Sequence, residues 1–390
     1  MITVEQALSH LFALVEPSEA VNLPLKEAAG RTLATDVQAQ RDQPPFAASA
    51  MDGYAIGDDD PKQGDTYRVI GEAAAGHAWS GRLKTGEALR IFTGAPLPEG
   101  AVRVIIQEDV TRQGDIITIG EDIDQARYVR PSGADFKASH KLCSPRKLSP
   151  NDIALLAAMN IANVPVVRKP QVAIIATGDE LVQPGEAPRP DQIIASNSYG
   201  LAALVDANGG KARLLPIAKD NIKSLEMAFE LAKGADLIIT IGGASVGDHD
   251  LVGGVAKNLG MEQSFYKVAM RPGKPLMAGK LGGAAMVGLP GNPVSAMVCG
   301  HIFILPMLRK MLGHGENAAP RQPKALAQTI GTNGPREHYM RGKVDGDHVT
   351  VFERQDSALL TVLADANCLI VRPANDPTQN LGAMVDIIHI

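Results

Sequence analysis

The sequence is poor in cysteine and has no long apolar run. Its 3 cysteines, Cys143, Cys299 and Cys368, lie far apart without C-x-x-C spacing, which argues against a disulfide framework or a structural zinc site. No apolar run approaches the roughly 18 residues of a membrane span, and the acidic N-terminal segment lacks the basic region of a signal peptide. We therefore expect a cytoplasmic protein that does not enter a membrane.

An excess of positive charge and the standard nucleotide motifs are also missing. The 38 Lys and Arg residues against 43 Asp and Glu residues give a net charge of -5, which argues against a nucleic-acid partner. The sequence has no P-loop and no G-x-G-x-x-G after a strand, so a standard nucleoside triphosphatase or dinucleotide enzyme is not indicated. The glycines around Ser245 lack G-x-S-x-G spacing, which disfavours serine hydrolase chemistry.

The 390 residues are too many for one hydrophobic core, and their composition is that of an ordinary globular protein, with 45% hydrophobic and 21% charged residues. Shifts in composition predict four domains. Residues 1–42 and 134–170 form a small discontinuous domain of helical and mixed structure, 43–133 an inserted β domain, 171–315 an α/β domain and 316–390 a C-terminal β domain.

Hydrophobic periodicity predicts the elements of these domains. Thr3 and Gln6 have capping-box spacing at the start of a helix over 3–16, and Ser149 caps a helix over 149–159 that we expect to pack against the first. Short strands are expected at 67–70, 88–92, 102–107 and 116–119 of the inserted domain. Beyond a linker at 320–323, strands at 339–344, 349–353, 368–371 and 384–389 predict a small barrel or sandwich.

Strands and helices alternate from residue 171 onward. This alternation predicts a layered α/β domain with a mostly parallel sheet, whose ligands collect at the carboxyl ends of the strands. The strands are expected at 172–176, 213–217, 237–241, 265–268 and 285–289, and the helices at 199–207, 221–233, 251–259 and 293–312.

The stretch ADLIITIGGASVGDHD lies at the centre of this domain. Its apolar segment 237–241 predicts a buried strand, and Gly242 and Gly243 follow it directly. Glycine-rich turns at strand ends bring backbone N–H groups close to a bound anion. Ser245, Asp248 and Asp250 therefore become candidate ligand contacts, although Asp250 is also placed to cap the next helix.

A second candidate loop, TGDEL, follows the strand 172–176. Asp179 and Glu180 lie there at the mouth of the sheet, where adjacent carboxylates can bind a hard cation such as Mg²⁺. The alternative is that Asp179 only caps a turn.

Two further loops favour an anionic ligand. KVAMRPGKP carries Lys267, Arg271 and Lys274 within eight positions, which suits a polyanion, although a solvated loop is the alternative. PGNPVSA places Asn292 as a predicted N-cap ahead of a helix whose N–H groups, with Ser295, form an anion site. Together the loops predict a phosphate-bearing ligand and a divalent metal.

Seven motifs in this order resemble the molybdopterin molybdenumtransferases, the family that includes the E domain of gephyrin. They are SAMDGYA, RIFTGAPLPEG, RPSGAD, TGDEL, GGASVGDHD, KVAMRPGKP and LPGNPVSA, and the similarity spans nearly the whole chain. The resemblance implies a multi-domain α/β plus β fold with a three-layer α/β molybdopterin-binding domain, an inserted β domain, a small discontinuous domain and a C-terminal β barrel. It implies insertion of molybdate into adenylylated molybdopterin, with release of AMP and with Mg²⁺ assisting.

The resemblance also implies roles for individual residues. The catalytic set is Asp179, Glu180, Asp250, Lys267 and Lys274, with Glu180 and Asp250 on the metal. The substrate-binding set is Thr177, Asp220, Gly242, Gly243, Ser245, Asp248, Arg271, Pro290, Asn292, Pro293 and Ser295 from the α/β domain, and Arg341 and Ser357 from the last domain. In a homodimer with a shared site, Asp52, Thr93, Arg130 and Asp135 come from the partner chain.

Two other interpretations stay open. A nucleotide or phosphoanhydride hydrolase on the same α/β fold would act without molybdate. A scaffold role has no feature in its favour, because the chain lacks a long linker and a fused adenylyltransferase domain. A separate molybdopterin adenylyltransferase is a candidate partner under the resemblance.

Overall fold

The computed structural model describes residues 1–121, 123–243 and 251–390. The chain forms two compact units, one made of Met1–Val21 with Val167–Ile390 and the other of Asn22–Val166. The division into four domains by the boundaries given above stays a prediction.

A six-stranded sheet organises the first unit. Its strand Leu237–Ile241 is buried at every position and pairs in parallel with Gln171–Ala176 on one side and Ala284–Leu289 on the other. The carboxyl ends of these three strands therefore meet at one edge. The full order is Lys211–Leu214, Gln171–Ala176, Leu237–Ile241, Ala284–Leu289, Met277–Leu281 and Glu262–Tyr266, and only Met277–Leu281 runs antiparallel to the other five strands.

The predicted mostly parallel sheet is thus confirmed, but one strand was missed. Met277–Leu281 has the sequence MAGKL, in which Gly279 interrupts any apolar pattern. A Cβ at Gly279 would lie 2.4 Å from the carbonyl oxygen of Glu262, so the strand pairing requires glycine at this position. The same glycine interrupts the apolar pattern from which the strand could have been predicted.

Helices cover the sheet as the alternating pattern predicts. They are Asn197–Ala207, Ile222–Leu231, Leu251–Asn258 and a continuous helix made of Pro293–Cys299, the π-helical turn Gly300–Ile304 and Leu305–Met311. The continuous helix spans 19 residues and is apolar enough to cross a membrane by length and composition, but 78% of it is buried inside the structure. It is the central helix of the core rather than an exposed apolar segment.

The N-terminal helix Val4–Phe12 begins with the predicted capping box of Thr3 and Gln6. Its buried side chains Leu8, Leu11 and Phe12 join the core formed by the sheet and the long helix. The predicted packing against the helix Pro150–Ala158 stays a prediction, because that helix belongs to the other unit. An amphipathic pattern shows that a helix has a buried face but not which partner covers it.

The C-terminal part of the first unit is a closed β barrel, as the family resemblance implies. Glu337–Asp345 pairs with both His348–Val351 and Cys368–Arg372, which closes the sheet. The predicted linker at 320–323 is wrong, because Gln322–Leu326 is a barrel strand. The order is Met270–Arg271, Glu337–Asp345, His348–Val351, Gln322–Leu326, Met384–His389 and Cys368–Arg372, with a short helix Leu360–Asp365.

The second unit contains a six-stranded β sheet that includes all four predicted strands. Two of its strands, Gly53–Ile56 and Val110–Gln113, were missed. A Cβ at Gly53 would lie 1.9 Å from the carbonyl oxygen of Ile105 on the next strand, so this strand requires a residue that is rare in strands. The order is Arg103–Ile106, Gly53–Ile56, Glu87–Ile91, Thr66–Ala73, Ile116–Ile119 and Val110–Gln113.

Shorter elements complete the chain. A four-stranded sheet has the order Ala20–Pro24, Asn163–Val167, Thr32–Leu33 and Arg146–Lys147, and two-stranded pairs join Val129–Arg130 to Ala48–Ser49, Lys141–Leu142 to Val37–Gln38, and Leu181–Val182 to Ile193–Ile194. Single 3₁₀ turns lie at Leu25–Glu27 and Gln107–Asp109.

Candidate active site at the carboxyl edge of the α/β sheet

A cleft of ≈ 970 Å³ opens where the three central parallel strands end. Most of its walls are loops that follow these strands, so the sheet edge determines its position. The structure brings these predicted residues together along the cleft: Thr177, Glu180, Asp220, Gly242, Gly243, Pro290, Asn292 and Pro293.

The turn after Leu237–Ile241 requires glycine twice. Gly242 has φ +92°, and a Cβ there would lie 2.8 Å from the backbone oxygen of Thr177. Gly243 has φ +65°, and its Cβ would lie 2.3 Å from a methyl carbon of Val252. The backbone can follow this path into the cleft only without side chains at these positions.

We expect Gly242→Ala to destabilise the chain more than Gly234→Ala. Both glycines have positive φ, but nothing lies within 4 Å of a Cβ at Gly234. Strain alone costs about 1 kcal/mol, whereas the added backbone collision at Gly242 raises the cost to roughly 2–4 kcal/mol. Urea unfolding of the two variants measures the difference, and equal losses would show that the turn tolerates a side chain.

The TGDEL loop places its two carboxylates differently. An oxygen of Asp179 accepts a hydrogen bond from the backbone N–H of Asp220 at 3.3 Å, so this side chain links two loops that are 41 positions apart in the sequence. Glu180 lines the cleft and folds over Gly178, where a Cβ would lie 2.3 Å from its carboxylate. Glu180 and Asp220 are therefore the described carboxylates that face the cleft.

Among the residues that the structure describes, no group of three or more His, Cys, Asp or Glu side chains could hold a metal ion. Asp250, the second predicted metal residue, lies outside the described residues, as do Ser245 and Asp248. Their roles stay predictions.

The loop after Ala284–Leu289 carries the predicted cap. Asn292 is the N-cap residue of the helix that follows it, as predicted, but its side chain makes no capping hydrogen bond to that helix. Its amide nitrogen instead donates to the hydroxyl of Ser357 at 3.0 Å, and the N–H of Val294 donates to the carbonyl of Ser357 at 3.0 Å. Ser357, assigned through the family resemblance, therefore lies at the N-terminus of the long helix, in whose first turn Ser295 is buried.

The predicted basic loop does not line the cleft with its charged side chains. Of this loop, only its last residue, Pro275, is among the lining residues. The Lys267 ammonium lies 5.0 Å from the ring centre of Tyr266. Arg271 is on the short strand Met270–Arg271, which pairs with Glu337–His338 of the barrel, so its charge lies toward the barrel.

A group of arginines surrounds this junction between the basic loop and the barrel. Burial lowers the pKa of His338 to about 4, and Arg271, Arg341, Arg372 and Arg336 add to the lowering. The four arginines around His338 make the junction electropositive, which suits an anion.

Arg341 is the most unusual of these arginines. It is 0% exposed, and its Nη2 donates to the carbonyl of Asp356 at 2.9 Å. Its Nε and Nη1 have no hydrogen-bond partner among the described residues. Burial lowers the pKa of Arg341, Asp356 opposes that effect and Arg271 adds to it. A buried guanidinium with unused donors is poised for an anionic ligand.

The residues predicted for the shared site lie on the surface of the second unit. A carboxylate oxygen of Asp52 accepts hydrogen bonds from the backbone N–H and the hydroxyl of Thr93, both at 2.7 Å. These bonds hold the pKa of Asp52 below its usual range. Arg130 and Asp135 are exposed. Asp52 and Thr93 thus form one preorganised pair on this unit.

The cleft also contains residues that were missed. Ile193, Ile194, Asn197, Leu251 and Ala358 line it, and none belongs to a glycine-rich strand-end loop of the kind used to find the others. Asn197 is the first residue of its helix, where the predicted helix began two residues later. A polar residue at a helix start was the available signal.

A polar cleft at the carboxyl edge of a mostly parallel sheet, joined to a closed barrel and an electropositive junction, defines an α/β protein built to bind an anionic ligand. Within that class the chain belongs to the molybdopterin molybdenumtransferase family, as comparison with known proteins shows.

Three family models match in order along the chain. They are the MoeA N-terminal region (domain I and II) over residues 2–160, the probable molybdopterin binding domain over 173–310 and the MoeA C-terminal region (domain IV) over 325–390. The second of these covers the sheet and the loops that form the cleft.

Whole-length relatives agree with the models. The chain is 34% identical to the molybdopterin molybdenumtransferase of Haemophilus influenzae, over 99% of this chain and 98% of the relative. It is 35% identical to that of Nostoc sp., over 93% and 87% respectively. The crystal structure of the molybdopterin biosynthesis MoeA protein from Pyrococcus horikosii superposes with a TM-score of 0.88 at 29% identity, covering 100% of this chain and 99% of that one.

Proposed function

We propose that this protein is a molybdopterin molybdenumtransferase, which inserts molybdate into adenylylated molybdopterin and releases AMP. The observation that carries the proposal is the cleft itself, where a glycine turn, two carboxylates and a helix N-terminus meet at one sheet edge. A phosphate-bearing substrate suits the glycine turn and the helix N-terminus, because both present backbone N–H groups. The membership of the family supports the particular reaction.

The residues of the cleft fit a divalent cation such as Mg²⁺. Glu180 and Asp220 supply carboxylate oxygens, the ligands that Mg²⁺ prefers, and neither side chain has a hydrogen bond or ion pair among the described residues. We propose that Glu180, with Asp250 as predicted, holds the cation. When bound, the cation neutralises charge on the adenylate phosphate and so assists cleavage of the phosphoanhydride.

The chain's own residues bind and orient the two reactants. Thr177, Gly242 and Gly243 shape the wall that receives the pterin phosphate, while Asn292, Ser295 and Ser357 surround the N-terminus of the long helix. Lys267, Arg271, Lys274 and Arg341 supply positive charge for molybdate and phosphate oxygens. Because Arg341 is buried and hydrogen-bonded before the substrates arrive, it stabilises developing charge without reorganisation.

Molybdate-dependent AMP release tests this function. The purified protein is incubated with adenylylated molybdopterin and Mg²⁺, with and without molybdate, and AMP is followed by chromatography. A transferase releases AMP only when molybdate is present, whereas a phosphoanhydride hydrolase on the same fold releases it in both cases.

We also propose a cytoplasmic homodimer in which Asp52, Thr93, Arg130 and Asp135 of one chain complete the cleft of the other. The exposed and preorganised Asp52–Thr93 pair supports the proposal, because a carboxylate held at the surface is available to a second chain. A molybdopterin adenylyltransferase is the proposed source of the adenylylated substrate.

Mixed dimers test the shared site. If Asp52 acts across the dimer, co-expression of Asp52→Ala with Glu180→Ala restores about a quarter of wild-type turnover, because half of the dimers are mixed and each mixed dimer has one intact site. Co-expression of Glu180→Ala with Asp220→Ala is the matched control and restores none, since both changes lie in the same wall of the cleft. No recovery in the first mixture would place Asp52 in the cleft of its own chain, and full turnover of Asp52→Ala by itself would place Asp52 outside the site.

A further inference from the structure

Asn197 is a cleft residue that none of the motifs quoted above contains. It is the first residue of the helix Asn197–Ala207, and its amide nitrogen donates to the carbonyl of Gly291 at 2.7 Å. The two residues are 94 positions apart in the sequence. Its amide oxygen accepts from the hydroxyl of Ser196 at 3.2 Å, which fixes the orientation of the amide.

Gly291 lies in the loop that places Asn292 within hydrogen-bonding distance of Ser357. On its other side, a Cβ at Gly291 would be 3.7 Å from the Cα of Gly242, so the loop rests on the glycine turn. The Asn197 amide is the side chain that holds the Gly291 carbonyl. Without it, the peptide between Gly291 and Asn292 can rotate, because glycine restricts its backbone least of all residues.

Rotation of that peptide would move the next residue along the chain. Asn292 donates to the Ser357 hydroxyl, and the Val294 N–H donates to the Ser357 carbonyl, both at 3.0 Å. The hydrogen bonds therefore run in series from Asn197 through Gly291 and Asn292 to Ser357, from the α/β sheet edge to the segment that precedes the barrel's short helix. A small shift in the position of the first group in such a series displaces the groups that contact substrate.

We propose that Asn197 is a positioning residue for the reaction: it fixes the Gly291–Asn292 peptide and thereby places Asn292 and Ser357 at the N-terminus of the long helix. Its kinetic effect rests on the proposed function, but its effect on the loop does not. The two are measured separately.

Asn208 provides a matched control on the same helix. Its amide nitrogen donates to the carbonyl of Leu204 at 2.8 Å, also a bond from an asparagine side chain to a backbone oxygen, but at the far end of the helix and outside the cleft. Asn197→Ala and Asn208→Ala each delete one such bond, so a purely structural role predicts the same consequences for both.

Hydrogen exchange tests the positioning without any need for turnover. Loss of one hydrogen bond is worth about 1 kcal/mol, so the Val294 amide should exchange roughly 5–10-fold faster in Asn197→Ala and at the wild-type rate in Asn208→Ala. Asn197→Asp, which keeps the size of the side chain but removes the donor, should behave as Asn197→Ala does. Unchanged exchange of Val294 in both Asn197 variants would overturn the proposal.

Kinetics then test the consequence for the reaction. We expect Asn197→Ala to lower kcat roughly 10-fold, with KM changed less than about 3-fold, and Asn208→Ala to change neither. In a Ser357→Ala background the same Asn197→Ala change should cost less than about 3-fold, because both residues act through one loop. Equal losses in the two backgrounds would contradict action through Ser357. A wild-type protein without AMP release would instead refute the proposed function, and the exchange rates would still decide the role of Asn197.

Discussion

Glu180→Gln is expected to lower the rate of molybdate-dependent AMP release roughly 100-fold or more. The substitution preserves the shape of a side chain that lines the cleft but removes its negative charge, so the affinity for a divalent cation falls and the phosphate charge is left without compensation. Higher Mg²⁺ concentration should recover part of the rate, because a weakened cation site can still be filled by mass action.

Glu186→Gln is the matched control for this prediction. Glu186 belongs to the same loop region, but it is exposed, accepts a hydrogen bond from the backbone N–H of Gln183 at 3.0 Å and does not line the cleft. Its turnover should stay within about 2-fold of wild type, as is usual for an exposed surface change. Wild-type turnover of Glu180→Gln at limiting Mg²⁺ would remove Glu180 from the metal site.

Arg341→Met is expected to slow turnover strongly and to leave the barrel as stable as before or more stable. Arg341 is 0% exposed and has two nitrogens without partners, so the folded protein bears a desolvation cost that a buried methionine of similar size avoids. Replacement of such a charge is neutral or stabilises by about 1–4 kcal/mol. Loss of a preorganised donor to an oxyanion should slow AMP release roughly 100–1000-fold.

Arg372→Met is the control that distinguishes a ligand-binding role of Arg341 from a structural role. Arg372 is 2% exposed in the same barrel, but it pairs with Asp376 and donates to the carbonyls of Gly331 and Pro377. Its removal leaves Asp376 unpaired and should destabilise the chain by roughly 3–5 kcal/mol. Urea unfolding and AMP release of both variants are compared. If Arg341→Met unfolds as easily as Arg372→Met, then Arg341 has a structural role instead.

The α/β sheet was predictable because its strands carry a continuous local signal. The segment Leu237–Ile241 has the predicted bounds, since five consecutive apolar or β-branched residues ahead of glycines can form little else. Two of the strands that were missed, Met277–Leu281 and Gly53–Ile56, contain glycines that allow close approach of a neighbouring strand. Such a glycine weakens the local pattern for a reason that exists only in the folded sheet.

The candidate site was predictable to the extent that its residues follow strand ends. Thr177, Glu180 and Gly242 meet because the carboxyl ends of parallel strands share one edge. The side chain of Asn292 bonds to Ser357 and makes no capping hydrogen bond to its helix, because a tertiary partner competed with the local one. Asn197 was missed because its partner Gly291 is remote in sequence, and no local pattern carries that information.

The stoichiometry of AMP release tests the central claim most directly. Adenylylated molybdopterin is incubated with the wild-type protein, Mg²⁺ and molybdate, and both AMP and protein-bound or pterin-bound molybdenum are quantified in the same samples. The account predicts one AMP released for each molybdenum incorporated, and no AMP when molybdate is omitted. AMP released at the same rate without molybdate, and with no molybdenum incorporated, would contradict it and identify the cleft as that of a phosphoanhydride hydrolase.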